Sequence, residues 1–232
     1  WPPYLLRTLD AVRAQAGPDV SVHAEIFSPF TQFLELLGYE AALMALLEDP
    51  GRCHAILAAY ARGAAEYGTF LAQADVDAVL VSSAFAGGGF ISRAQYAEFV
   101  LPYERLVHQT IRARGMTTYT HTCGAIGDRL ELLADTGTGG IDTLDPPPLG
   151  NVELEDAKAR VGHRLFLKGN IDPVNTLLRG SVAEVRADAR RRLAVGAPGS
   201  GYILSSACSV APRVPPQNLM VLAEVSEEMG VP

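Results

Sequence analysis

Cysteine is scarce in this chain: Cys53, Cys123 and Cys208 are the three in 232 residues. An odd, small number at this length excludes a disulfide scaffold and leaves reduced thiols or metal ligands, the usage expected of a cytoplasmic protein. Basic clusters are equally rare. The longest is Arg190, Arg191 and Arg192, and 19 Lys+Arg against 26 Asp+Glu give a net charge of −7, so nucleic acid is not expected as a partner. No apolar run reaches the roughly 18 residues that span a bilayer, and the opening WPPYLLRTLD lacks the charged-then-apolar layout of a signal peptide. A soluble protein with no membrane partner is therefore expected. The first residue is Trp1 rather than methionine, which leads us to expect a segment upstream. Linkers, low-complexity tracts and short repeats are missing too. What is present, at 48% hydrophobic, can bury a large core as one α/β domain or two small ones.

Six β-rich runs alternate with helical pattern. They are DVSVHAEIF (19–27), VDAVLVSS (76–83), the run ending at His121, GIDTL (140–144), RLFLKGNI (164–171) and GYILSSA (201–207). Between them lie FTQFLELLG, EAALMALLED, a long helical segment from Arg52 to Ala74, and SRAQYAEFVLPYERLVHQTIRARG. Ser92 is the N-cap candidate of the last of these, and Pro102 is expected to kink or interrupt it. A further helix is predicted from Gly124, with Ile126, Leu130 and Leu133 on one face, then one near 153–161 and two runs across 173–196. Strands joined through helices must pair in parallel, as a doubly wound sheet or a (β/α)₈ barrel. Polar and glycine-rich residues recur at the strand C-terminal ends, which a barrel explains because those ends converge on one mouth. The expectation is a (β/α)₈ TIM barrel, one domain over residues 1–232, lacking its amino-terminal strands because six is two short of eight.

The stretch TYTHTCGAI, 118–126, places His121 and Cys123 where a strand ends. Residues i and i+2 of a strand share a face, so imidazole and thiol point to one spot. The plainer reading is a buried histidine beside a small buried cysteine. Cys208 also follows a strand end, 85 residues further on, and a barrel brings it to the same mouth. His121, Cys123 and Cys208 then form a Cys₂His set with a fourth position open, the arrangement of a catalytic zinc. Cys53 reads as a helix residue, and His54, His108 and His163 as ordinary structural histidines. Glu25 shares a face with His23 on the first strand and, with Asp145, is a candidate catalytic carboxylate. Ser82 and Ser83, with the glycines at 87–89, are candidates for a substrate-binding loop that a planar cofactor can approach; the alternative is a simple flexible loop. Asp142, Asp145 and Asn170 are candidates to orient the histidine or bind substrate, with helix capping as the competing role, assigned first to Asp172 ahead of PVNTLL.

FSPFTQFLELLGYEAALMALLEDP, ISRAQYAEFVLPY, HTCG, LKGNIDP and ILSSACSVAPRVPPQNL, in that order, resemble the carboxy-terminal two-thirds of the uroporphyrinogen decarboxylase superfamily. The resemblance covers nearly the whole chain and implies a (β/α)₈ fold with one of two chemistries. One is decarboxylation of porphyrinogens in haem synthesis. The other is zinc-dependent methyl transfer between a corrinoid (cobalamin), carried on a partner protein, and a small thiol such as coenzyme M. The H-x-C…C pattern of His121, Cys123 and Cys208 resembles the methyltransferase branch. Where the decarboxylases have an APWTLASY-like loop this chain reads SPFTQFLE, which puts Glu35 near the position of their pocket tyrosine, and Cys208 falls where they tend to carry a GHG-like stretch. The chain contains no D-x-H-x-x-G pattern of a corrinoid-binding module. A catalytically inactive barrel serving as an interaction protein is the third reading.

Overall fold

A computed structural model describes residues 1–230. The elements alternate as the sequence pattern requires: α1 (Arg7–Ala16), β1 (His23–Phe27), α2 (Pro29–Leu37), α3 (Tyr39–Glu48), α4 (Pro50–Leu71), β2 (Ala78–Ser82), α5 (Arg93–Phe99), α6 (Leu101–Arg112), β3 (Thr117–Thr122), α7 (Leu130–Asp135), β4 (Gly140–Thr143), α8 (Leu154–Val161), β5 (Phe166–Ile171), α9 (Val182–Gly196), β6 (Tyr202–Ser206) and α10 (Pro216–Glu228). Strands β1, β2 and β3 follow one another in chain order, as do β4, β5 and β6. This is the strand-then-helix repeat of a (β/α)₈ barrel, of which these residues supply six strands.

The chain divides into two compact units. The first comprises Trp1–Ala86, Phe90–His121 and Leu132–Gly139; the second comprises Gly87–Gly89, Thr122–Glu131 and the chain from Gly140 onward. In the first unit β1 pairs with β2 in parallel, Glu25 opposite Leu80, and β2 pairs with β3, Ser82 opposite His121. Burial of Val22, Ala24 and Ile26 alternates with exposure of His23, Glu25 and Phe27. The buried face packs with Val79 and Val81 against Ala61, Ala64 and Ala65 of α4 and Val107 and Ile111 of α6. In the second unit β4 pairs with β5, Asp142 opposite Lys168, and β5 pairs with β6, Asn170 opposite Ser205.

Local chemistry sets the helix ends. Ser28 caps α2 by accepting from Thr31 N–H, and Ser92 and Gln95 form a capping box at α5. The helical stretch from Ser92 breaks at Val100, just before Pro102, because proline donates no N–H and fits only the first turn of α6. Asp172 caps the turn Pro173–Leu178 by accepting from Val174 and Asn175 N–H.

One expectation needs correction, and one helix was not foreseen. The helix predicted from Gly124 begins only at Leu130. Ile126, Leu130 and Leu133 are all buried, so the apolar spacing reported burial, while Gly124 and Gly127 give their N–H groups to the side chains of Asp145 and Asn151 and so leave the helical ladder. Helix α1 was not assigned from the sequence, and none of its residues is buried. Among the described residues no single helix is long and apolar enough to cross a membrane; α2 and α3 pass only as a pair bent by 110°.

Candidate metal centre

Strand β3 ends at Thr122, which leaves His121 half-buried and Cys123 in the turn that follows. Gly124, at φ +77, lets the chain reverse there. Cys208 follows the end of β6, also half-buried. The two thiols meet with their Sγ atoms 3.7 Å apart. His121 precedes Cys123 by two residues, at the end of β3.

Three groups hold the Cys123 turn. Asp145, buried after β4, accepts from Gly124 N–H at 2.6 Å, and Thr143 Oγ1 donates to the Thr122 carbonyl at 2.5 Å. Gly88 N–H donates to the Ala125 carbonyl at 2.7 Å, and a Cβ on Gly87 would fall 2.3 Å from the Cys123 carbonyl oxygen. The close approach that Gly87 and Gly88 permit is therefore made by the chain's own backbone, while nothing lies within 4 Å of the Cβ position of Gly89. The Cys208 thiol beside it, burial, and the carboxylates of Asp145 and Asp142 all push the Cys123 thiol pKa up. Loss of the Cys123 proton is therefore disfavoured by the charge around it, and a cation at the sulfurs would offset that crowding of negative charge.

The remaining candidates have distinct surroundings. Asp142 Oδ1 accepts from Lys168 Nζ at 2.8 Å, an ion pair that the sequence reading missed and that only the β4–β5 register places together. Asn170 is fully buried. Its amide donates to the carbonyls of Leu144 and Val152, and its oxygen accepts from the Arg192 guanidinium, so all its polar atoms are engaged inside the second unit. Ser83 is buried with its hydroxyl accepting from Ser28 Oγ at 3.3 Å, while Ser82 stands opposite His121 in the register. Glu25 is exposed on β1. Cys53 is buried in α4 and lines a cavity of about 310 Å³ with Phe33, Leu37, Ile56, Asp49 and Arg52. His108 is buried between the hydroxyls of Thr118 and Thr120, and burial pushes its pKa down to about 3, which keeps it neutral.

Comparison with known proteins identifies the family. The family model described as uroporphyrinogen decarboxylase (URO-D) matches residues 2–229. The chain belongs to the uroporphyrinogen decarboxylase family. Within that family it is similar to both named activities. It is 24% identical over 226 residues to the methylcobamide:CoM methyltransferase MtaA of Methanosarcina barkeri, covering 97% of this chain and 63% of that protein. It is 32% identical over 189 residues to the uroporphyrinogen decarboxylase of Azotobacter vinelandii, covering 80% of this chain and 50% of that protein. A solved methyltransferase from Methanosarcina mazei superposes with a TM-score of 0.86 at 22% identity, over 98% of this chain and 64% of that one. That likeness establishes the barrel fold. The chain spans between half and just under two-thirds of the length of these family members.

Proposed function

We propose that this member of the uroporphyrinogen decarboxylase family is part of a zinc-dependent methyltransferase, moving a methyl group between a corrinoid on a partner protein and a thiol or other small acceptor. His121, Cys123 and Cys208 are the zinc ligands. The observation that carries the reading is the 3.7 Å between the two sulfurs. Two sulfurs each ~2.3 Å from a tetrahedral zinc lie about 3.8 Å apart, so the pair suits the ion as it stands. The donor chemistry also fits: two thiols and one imidazole leave one tetrahedral position for substrate.

Zinc bound there supplies the Lewis acidity that keeps an acceptor thiol deprotonated near neutral pH. The chain's own residues set the conditions. Cys123 and Cys208, as thiolates, balance the ion's two positive charges, so the acceptor sulfur keeps its electron density for attack on a methyl–cobalt bond. Asp145 acts as a positioning group by fixing the Cys123 turn through Gly124. Asp142, with its charge offset by Lys168, and Ser82 are the substrate-contact candidates, and exposed Glu25 is the candidate for proton transfer.

The test is spectroscopic. The full-length protein, supplied with zinc, methyl-cobalamin and a small thiol, should convert methyl–cobalt to the cobalt(I) form, and chelation should stop it. The second reading, porphyrinogen decarboxylation, is favoured by the 32% identity to the Azotobacter enzyme. Conversion of uroporphyrinogen to coproporphyrinogen regardless of zinc, with no demethylation of the corrinoid, decides for it.

A second expected result concerns the Cys123 turn. Gly87→Ala should weaken zinc uptake by on the order of tenfold or more, because the new Cβ meets a backbone oxygen that cannot rotate away. Gly89→Ala is the control, since nothing lies within 4 Å of its Cβ position. Equal zinc affinities for the two variants would refute the role of the Gly87 contact.

A further inference from the structure

We infer that Cys123 and Cys208 are also a redox pair: when the metal is absent they close into an intramolecular disulfide that blocks metal uptake. This rests on the zinc reading above and adds a regulation to that site. The sulfurs are 3.7 Å apart, so a bond of ~2.05 Å requires each to move by less than about 1 Å. Both residues sit in turns beyond strand ends rather than inside the ladder. Both thiols are half-buried, which gives a small oxidant access. Cys53 lies buried inside α4, so it serves as an internal reference.

The co-reactant is a low-molecular-weight organic disulfide. One cysteine thiolate attacks it, forming a mixed disulfide and releasing one small thiolate; the second cysteine thiolate attacks the protein-side sulfur of that mixed disulfide and releases the other. The protein loses two electrons and two protons, and the small disulfide is reduced to two thiols. Closing the bridge removes two of the three donors at once and leaves His121, which alone does not hold zinc. A bound ion works in the opposite direction. It engages the sulfur lone pairs and holds the atoms near 3.8 Å, beyond bonding distance, so the loaded centre resists oxidation.

The experiment uses the full-length protein, stripped by chelator and treated with 2-hydroxyethyl disulfide. The expected product is about 2 Da lighter and yields a cross-linked pair of tryptic peptides, residues 115–129 with 193–213. Its zinc uptake should fall from about one equivalent to none, and dithiothreitol should restore it. The zinc-loaded protein should react at least ~10-fold more slowly. Cys53→Ser should behave as the parent does. Separate mixed disulfides on Cys123 and Cys208 with no cross-linked peptide would overturn the inference, as would bridging at the same rate with and without zinc. The zinc reading fails separately: reduced protein that takes up no zinc overturns it, while the cross-linked peptide reports on the sulfur pair by itself.

Discussion

Cys208→Ala should lose bound zinc, with affinity down by on the order of 100-fold or more, and methyl transfer should fall below detection. The reason is geometric. Removing one sulfur leaves Cys123 and His121, and two donors cannot hold the ion against water. The fold should survive, because Cys208 sits half-exposed in a turn after β6 and contributes little to the core. A melting temperature within a few degrees of the parent is expected, since changes away from packed sites usually fall within about 0.5 kcal/mol. Cys53→Ala is the counterpart. It trims a buried thiol in α4 and should cost about 1 kcal/mol of stability with zinc content unchanged. Zinc analysis and thermal melts on both variants give the answer; zinc retained in Cys208→Ala at the parent level sinks the assignment.

The second large effect lies in the first unit. Glu104 on α6 is wholly buried, with Tyr96 Oη 3.5 Å from its Oε2, and among the described residues its Oε1 has no hydrogen-bond partner. Burial pushes its pKa up to about 7, against the opposing hydrogen bonds of Ser83, Tyr96 and Ser28. A carboxyl raised above its unfolded value of 4.5 favours the folded state in its neutral form. Its contribution is therefore complete below pH ~4.5, falls as the pH rises through 7, and is level above that. The span is about 3 kcal/mol, of which 2 to 3 falls between pH 5 and pH 8. Glu104→Gln keeps the shape and cannot ionise, so it should flatten the profile and gain most at pH 8. Urea unfolding of both proteins at pH 5 and pH 8 measures this. Parallel pH profiles for parent and variant would show that Glu104 does not ionise across that range.

Much of the fold was legible because the repeating signals are local. Alternation of six β-rich runs with helical pattern, the cap at Ser92, the break at Pro102 and the cap at Asp172 each depend on a few neighbouring residues. The i and i+2 relation of His121 and Cys123 is local too. Where the reading went astray, the cause was a contact from elsewhere in the chain. The helix expected from Gly124 is replaced by a loop because Asp145 and Asn151, more than twenty residues away, take the N–H groups of Gly124 and Gly127.

The sequence by itself determined the strand–helix alternation, the parallel pairing that follows from it, and the presence of one histidine at a strand end and two cysteines just beyond strand ends. Only the tertiary structure decided which of the polar residues meet. It placed Cys208 at 3.7 Å from Cys123, gave Asp142 to Lys168 and Asn170 to Arg192, and set Gly87 against the Cys123 backbone. Periodicity records which face of an element is buried and nothing about its rotation or register against a neighbour. A pair 85 residues apart is fixed by the crossovers between the strands, and those are set by packing of the whole chain.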